Sequence, residues 1–239
     1  MLGAAKPLWR KSFVWLARSD RIDVYLSGGV AAIRRRSAET VVQSLANRAW
    51  GDLLDEWAGT AARTSWRIWL GGSLCRLLRV EPVPGVRTIE EAEAVVARLA
   101  SENGQSLEAR LALWSPHRPW IACCSPVGFA ESLMSVADKH RIDLVSIRPW
   151  WSSVPAGSMN GVACFDDESI SSWHTDKRAQ VVKCSTLLVD EGRQAQALQR
   201  MRVSEQLQAY RLDLNASVAT GTVGFSAIPI QEGDHAVAG

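Results

Sequence analysis

Leu77-Leu78-Arg79-Val80-Glu81-Pro82, Thr88-Ile89-Glu90-Glu91 and Ile142-Asp143-Leu144-Val145-Ser146-Ile147-Arg148-Pro149 mark out the stretch, residues 67–149, whose reading decides the fold. The first run is β-leaning and is stopped by Pro82 and Pro84, because proline has no N–H to give a sheet ladder. The second is a capping box, in which the Thr88 hydroxyl and the Glu91 carboxylate each take an orphan N–H of a first helical turn. It opens a helix with the apolar stripe Ile89, Ala92, Val95, Val96 and Leu99, closed by Asn103-Gly104. Residues 109–114 and 120–124 then read as a strand pair around the turn 115–119. Ser125 reads as an N-cap with Pro126 at the first helical position, and Phe129, Leu133, Val136, Ala137 and His140 share one face of the helix that follows. The third quoted run is a strand ended by proline. Strands alternating with amphipathic helices in this way give the α/β class.

Toward the N-terminus, residues 13–18 and 21–26 lean to β, Ser27-Gly28-Gly29 is a turn, and 30–35 return as a strand. Val41, Leu45, Leu53, Leu54, Trp57 and Ala61 recur at helical spacing and predict a helix over 39–63. Residues 65–70 and 74–80 predict a hairpin around Gly71-Gly72. Toward the C-terminus, the Ser/Gly/Pro-rich segment 152–160 is a domain boundary. Beyond it come a three-stranded meander (161–165, 169–174, 180–188), a helix over 192–205 and a strand over 207–214. The expected organisation is a first half over 1–151, a linker over 152–160, a shorter second half over 161–214 and a loosely ordered tail over 215–239.

Composition narrows the function classes. Hydrophobic residues make up 47% of the 239 and charged residues 22%, which excludes extended disorder. Twenty-seven basic against 25 acidic residues, a net charge of +2, give no general basis for nucleic-acid binding. No window of about 18 uncharged apolar residues exists for a membrane span, and Lys6, Arg10 and Lys11 interrupt any signal-like N-terminus. A cytoplasmic location follows as the expectation. The five cysteines are odd in number and form no CxxC; Cys123 and Cys124, adjacent on a strand, point to opposite faces, so buried thiols are expected. Eleven tryptophans cannot all be core, and some are expected at an interface, with Trp150 and Trp151 as candidates for partner binding.

Catalytic motifs are missing. The sequence has no Walker-type Gly-Lys-Ser/Thr loop, no GxGxxG and no HExxH, and its four histidines are scattered. Ser125 lies in Cys-Cys-Ser-Pro-Val rather than Gly-x-Ser-x-Gly, and Pro126 removes the N–H an oxyanion hole needs. Asp166-Asp167-Glu168 reads as a turn between strands, too contiguous to supply calcium with spaced oxygens. Arg34, Arg35 and Arg36 form the one basic knot. They are expected at a solvated strand end, or else as a partner-binding patch; with nearby tryptophans to stack on, the latter would be a nucleic-acid surface.

Taken in order, the elements resemble the cytoplasmic actin-like domain of type II secretion L proteins and, more distantly, the pilus assembly protein PilM. The resemblance rests on the Val80-Glu81-Pro82 strand end before a helix and the 142–149 strand that ends the first half, and it spans roughly residues 20–215. It implies two RNase-H/actin-like halves of mixed sheet with flanking helices, the second half reduced. It implies a non-enzymatic cytoplasmic scaffold or adaptor of a type IV pilus or type II secretion platform, peripheral to the inner membrane. The implied partners are the assembly ATPase and a bitopic inner-membrane protein, with homo-oligomers also compatible. No cofactor or metal is expected, although PilM-type proteins can hold a nucleotide between their halves. The alternative is a nucleotide- or magnesium-binding RNase-H-like enzyme using Asp23, since such folds keep a magnesium-binding acid on the first strand. Here Asp23 precedes the Ser27-Gly28-Gly29 turn, but the Asp-x-Gly pattern is broken by Tyr25, and the bland reading of Asp23 is a surface acid.

Overall fold

Ile22, Val24 and Leu26 of the strand Arg21–Leu26 (β1) are buried on one side and Asp23 and Tyr25 on the other. A strand buried on both faces belongs inside a sheet covered on both faces. In the computed structural model of the chain, which describes residues 21–35, 39–46, 48–61, 64–101, 106–154, 160–177, 180–203, 205–214 and 225–230, β1 is the central strand of a five-stranded sheet. Val30–Arg35 (β2) returns antiparallel to β1, and Val41–Ser44 (β3) pairs antiparallel at the edge. On the other side Ser65–Leu70 (β4) and, beyond it, Asp143–Pro149 (β8) run parallel. Parallel pairs need crossovers. Trp50–Thr60 (α1) leads into β4 and Phe129–His140 (α3) into β8, and both pack Leu53, Leu54, Leu133 and Ala137 on the Ile22–Val24–Leu26 face.

Between β4 and β8 the chain leaves this sheet and builds part of a second one. Arg76–Val80 (β5), the capped helix Ile89–Ala100 (α2), Leu107–Leu113 (β6) and Trp120–Pro126 (β7) lie there, followed by Gly161–Phe165 (β9), Ser169–Thr175 (β10), Val181–Leu188 (β11), the helix Glu191–Val203 (α4), Gln208–Asp213 (β12) and Ser226–Pro229 (β13). The order across this eight-stranded sheet is β13-β12-β9-β10-β11-β5-β7-β6. The run β9–β10–β11–α4–β12 repeats the run β1–β2–β3–α1–β4: two antiparallel returns, a helical crossover, then a strand parallel to the first. The second copy ends on antiparallel β13 where the first adds parallel β8, so the fold is two actin-like halves with the second reduced. The inward faces of the two copies meet in a core of Tyr25, Ala32, Trp150, Val162, Cys164, Tyr210 and Phe225, with Trp69, Trp151 and Trp173 packed against it.

The capping box is present as expected: Thr88 Oγ1 accepts from Glu91 N at 3.2 Å and Glu91 Oε2 from Thr88 N at 3.3 Å. Four expectations need correction. Residues 65–70 and 74–80 do not form a hairpin, because β4 already has parallel partners on both edges, β1 and β8, and β5 pairs with β7 instead. The helix predicted over 39–63 is a strand followed by a helix; the β-branched pair Val41-Val42 extends the sheet, and true helical burial starts at Leu53 and Leu54. Ser125 and Pro126 are still in β7, and the N-cap of α3 is Gly128 at φ 75°, a left-handed conformation suited to glycine. Within the stretch read as a loose tail, Ser226–Pro229 pairs with β12. The strand expected over 13–18 lies outside the described residues.

The thiols follow the strand geometry. Cys124 packs under α2 while Cys123 packs with Cys75 on the opposite face, and burial pushes Cys124 up to about 11 and Cys184 up to about 12. At such values they are protonated and unreactive at neutral pH.

Candidate functional site

The first turn of each half has the same backbone form. Ser27 N donates to Val30 O at 2.8 Å, and Asp166 N donates to Ser169 O at 3.1 Å. In each, the side chain of the first residue takes the N–H of the fourth: Ser27 Oγ from Val30 N at 3.0 Å, Asp166 Oδ1 from Ser169 N at 2.7 Å. Ser27-Gly28-Gly29 between β1 and β2 is therefore the counterpart of Asp166-Asp167-Glu168 between β9 and β10, and the two turns face each other across the junction of the halves.

Their chemistries are opposite. Asp167 Oδ1 accepts from the Tyr25 hydroxyl at 2.8 Å and its Oδ2 from Ser27 Oγ at 2.6 Å. Glu168 Oε2 accepts from Gly28 N at 3.0 Å, and the Ser73 hydroxyl bonds the same carboxylate. Asp166 is buried; its Oδ1 takes Ser169 N, Ser169 Oγ and Glu168 N, and its Oδ2 takes Gly72 N at 2.8 Å and the Trp150 indole N–H at 2.9 Å. The whole contact is three carboxylates from the second half held by neutral donors of the first, together with the indole of Trp150. We call it the carboxylate clasp. Among the described residues none of the three carboxylates makes an ion pair.

The glycines let the second half approach closely, at Gly29 against the movable end of Glu168 and at Gly72 against the short, packed side chains of Ser169 and Thr186. A Cβ on Gly29 would fall 2.3 Å from Glu168 Oε1, and one on Gly72 would fall 2.0 Å from Ser169 Oγ. Burial shifts the titrations as expected for acids without cations. Burial raises the carboxyls of Asp166 and Glu168, and burial first, then the charges of Asp166 and Asp167, raises the Tyr25 phenol well above its usual range. Chemically, backbone N–H groups and hydroxyls converging at turns form an anion site. In this chain that donor set already holds Asp167 and Glu168, so a nucleotide phosphate does not fit there without displacing them.

Asp23 is not a surface acid. It is fully buried, its Oδ1 lies 2.7 Å from Arg67 Nε, and its oxygens accept from Arg67 Nη2 at 2.8 Å and from the Trp69 indole at 2.9 Å. The guanidinium occupies both carboxylate oxygens, where a magnesium ion would need them. Among the described residues no group of three or more His, Cys, Asp or Glu side chains is placed to hold a metal ion.

Arg34 is also buried rather than solvated. It donates to Thr40 Oγ1 at 2.8 Å and to Leu214 O at 2.7 Å, and its Cζ lies 5.4 Å from the Phe225 ring centroid, so it ties the residues beyond β12 to β2. Arg35 donates to Thr60 Oγ1, and Arg36 lies outside the described residues. Trp150 is buried and bonded to the clasp, while Trp151 packs against Trp173 in the inter-half core, ring centroids 5.6 Å apart and planes tilted by 51°. None of the nine described tryptophans is exposed. The interface that tryptophan serves here includes one within the chain.

The clasp itself was missed from sequence. Its signal was present in the glycine pairs 28–29 and 71–72 and the acidic run 166–168, each following a strand, but nothing in the sequence shows that they meet.

No family model matches the chain, and no curated protein matches it in sequence. Among solved structures, the fold is shared with the cytoplasmic domain of EpsL, an inner-membrane component of the type II secretion system of Vibrio cholerae, at TM-score 0.51 and 15% identity over 81% of this chain and 82% of that one. The PilM–PilN type IV pilus biogenesis complex is also similar, at TM-score 0.45 and 10% identity over 83% of this chain and 68% of that one.

Proposed function

We propose that this chain is a non-enzymatic adaptor of the inner-membrane platform of a type II secretion or type IV pilus machine, acting at the cytoplasmic face of the membrane. The observation that carries the proposal is the clasp. The donors between the two halves are spent on the chain's own carboxylates, and the space behind them is filled by an aromatic core. An actin-like fold closed in this way keeps outer surfaces for partners and loses its room for a nucleotide. The shared fold with the EpsL cytoplasmic domain supports the choice of machine. Among the described residues no helix is long and apolar enough to cross a membrane. The expected partners are the assembly ATPase and the cytoplasmic segment of a bitopic component. The halves are taken as residues 1–151 and 161–214, joined by 152–160, with β13 from the following segment 215–239 added to the sheet of the second half and β5, β6 and β7 lent to that sheet by the first.

Two measurements test this. Co-expression with the assembly ATPase and the bitopic component should yield a stable complex on size exclusion, and failure with both would remove the adaptor reading. Titration calorimetry with magnesium and ATP should show no saturable heat. Micromolar binding that is lost in Asp23→Ala would replace the adaptor with the nucleotide-binding reading.

A further inference from the structure

One row of paired residues crosses the second sheet: Ala209, Ala163, Ser172, Ser185, Leu78, Ala122 and Leu111, each the direct partner of the next. Cross-strand partners share a sheet face, so this row defines one face from β12 to β6. Helix α4 covers one end of it, packing Ala197, Leu198 and Met201 on Ala163, Phe165, Ile170 and Ala209. Helix α2 covers the other end, packing Ala92 and Val96 on Ala109, Trp120 and Ala122, with Leu78 alongside. A helix is about 10 Å across and strands are about 4.8 Å apart, so each helix shelters roughly two strands. Among the described residues β11 lies between them without a helix above it. Lys183 and Leu187, which alternate with Ser185 on this face, are exposed, Leu187 by 50%.

The result is a groove of about 730 Å³. Its floor is Lys183, Ser185 and Leu187, and its wall is Arg193, Gln196, Ala197 and Arg200. The wall residues recur at i, i+3, i+4 and i+7, which places them on one side of α4. Three cations line the groove against one acid, Glu205, which is 2.9 Å from His174 Nε2 and 3.7 Å from Arg200 Nε. The side chains of Arg193 and Arg200 are 78% and 77% exposed, and Arg193 pairs with Asp190, at 3.4 Å, outside the lining. The floor offers apolar contact at Leu187, and the rim offers guanidinium groups.

We propose that this groove is the seat of an amphipathic helix of a partner protein, with an apolar stripe laid along β11 and acidic residues turned to Arg193 and Arg200. Among the described residues the space above β11 is one helix wide on a face that otherwise carries helices, and the lining charge selects the sign of the visitor. The proposal stands apart from the platform reading, since the groove can be probed without any secretion component.

Two labelled helical peptides of about 18 residues, sharing one leucine stripe at helical spacing and flanked by either Glu or Lys, serve as probes in fluorescence polarisation against the full chain. The Glu peptide should bind roughly tenfold or more tightly than the Lys peptide. Leu187→Asp should weaken it by a similar factor, and the double change Arg193→Glu with Arg200→Glu should reverse the preference. Leu187 is half exposed, so its variant should unfold at the same urea concentration as the parent, and this is measured alongside. Equal binding of the two peptides, or a Leu187→Asp variant that binds like the parent, overturns the proposal. So does sedimentation showing a dimer that Leu187→Asp turns into monomer, because the occupant would then be a second copy of the chain.

Discussion

Ser27-Gly28-Gly29-Val30 and Asp166-Asp167-Glu168-Ser169 hold the same place in the two halves and close with the same backbone hydrogen bond, yet one presents N–H groups and hydroxyls and the other three carboxylates. Repeated topology makes the two turns face each other, and divergence in three residues makes them complementary. The strand behind each turn diverges too. Tyr25 of β1 corresponds to Cys164 of β9, and the longer side chain is the one that reaches across to Asp167. This chain uses that complementarity to hold its two halves together. The difference lies in side chains alone, so it can be broken one residue at a time.

Asp166→Ala should be the most damaging change at the clasp. It strips acceptors from Gly72 N, the Trp150 indole and Ser169 N, all within a buried contact. Each orphaned buried donor costs about 1–3 kcal/mol, so a loss of about 3–5 kcal/mol is expected by urea unfolding. A loss below about 1 kcal/mol would mean that the turn does not carry the inter-half contact. Next comes Asp23→Ala, which leaves the Arg67 guanidinium, 20% exposed, without its carboxylate. Partial access to water moderates the cost to about 2–4 kcal/mol. Magnesium should not change the unfolding midpoint of the parent; if it raised the midpoint of the parent but not of the variant, Asp23 would be a metal ligand.

Gly72→Ala tests close approach rather than hydrogen bonding. The added Cβ would meet Ser169 Oγ at 2.0 Å and both Ser169 Cβ and Thr186 Cγ2 at 2.9 Å, so overpacking of about 1–3 kcal/mol is expected. Gly51→Ala is the control. It lies in α1 with nothing within 4 Å of the new Cβ, and it should stabilise by about 0.5–1 kcal/mol. If both alanines cost the same, the Gly72 turn is looser than its contacts require. Ser27→Ala, at the position matching Asp166, removes one hydroxyl that accepts from Val30 N and donates to Asp167, and should cost about 1 kcal/mol. The ratio of the Asp166 and Ser27 losses measures how unequal the two turns have become.

Much of this architecture was legible in the sequence because it depends on local period. The Thr88–Glu91 box, the α3 face through Phe129, Leu133 and Ala137, and the meander β9–β10–β11 follow from spacing alone. The N-cap expected at Ser125 is a local failure, three residues from the true cap at Gly128, but the failures that bear on topology and on the site involve partners distant in sequence. Ser65–Leu70 and Arg76–Val80 look like a hairpin until the parallel neighbours of β4 are known, and these come from residues 21–26 and 143–149. Asp23 and Arg34 look like surface charges until Arg67 and the Leu214 carbonyl are brought to them. The clasp joins residues some 140 positions apart. Periodicity carries no information on such pairs, whereas the chemistry of an unpaired acidic turn and two glycine turns does state what each would need.

The smallest effect is also the most specific to the clasp. Asp166 and Glu168 have folded-state carboxyl affinities raised by burial above their ordinary values of 3.8 and 4.5. Raised acids bind more protons folded than unfolded, so their contribution is full below the ordinary values and is lost as pH rises through the raised ones. The clasp should therefore tighten on acidification. Glu168→Gln fixes the neutral form at one position and keeps an oxygen for Gly28 N. The gap in urea midpoint between parent and Glu168→Gln should widen in favour of the parent as pH is lowered from about 8 to about 4, below the ordinary carboxyl value. Because Glu168 is partly exposed, the change should be smaller than that of Ser27→Ala. A gap that stays constant over this range would show that solvent sets the charge of Glu168 and that the acidic turn is held by Asp166 and Asp167 alone.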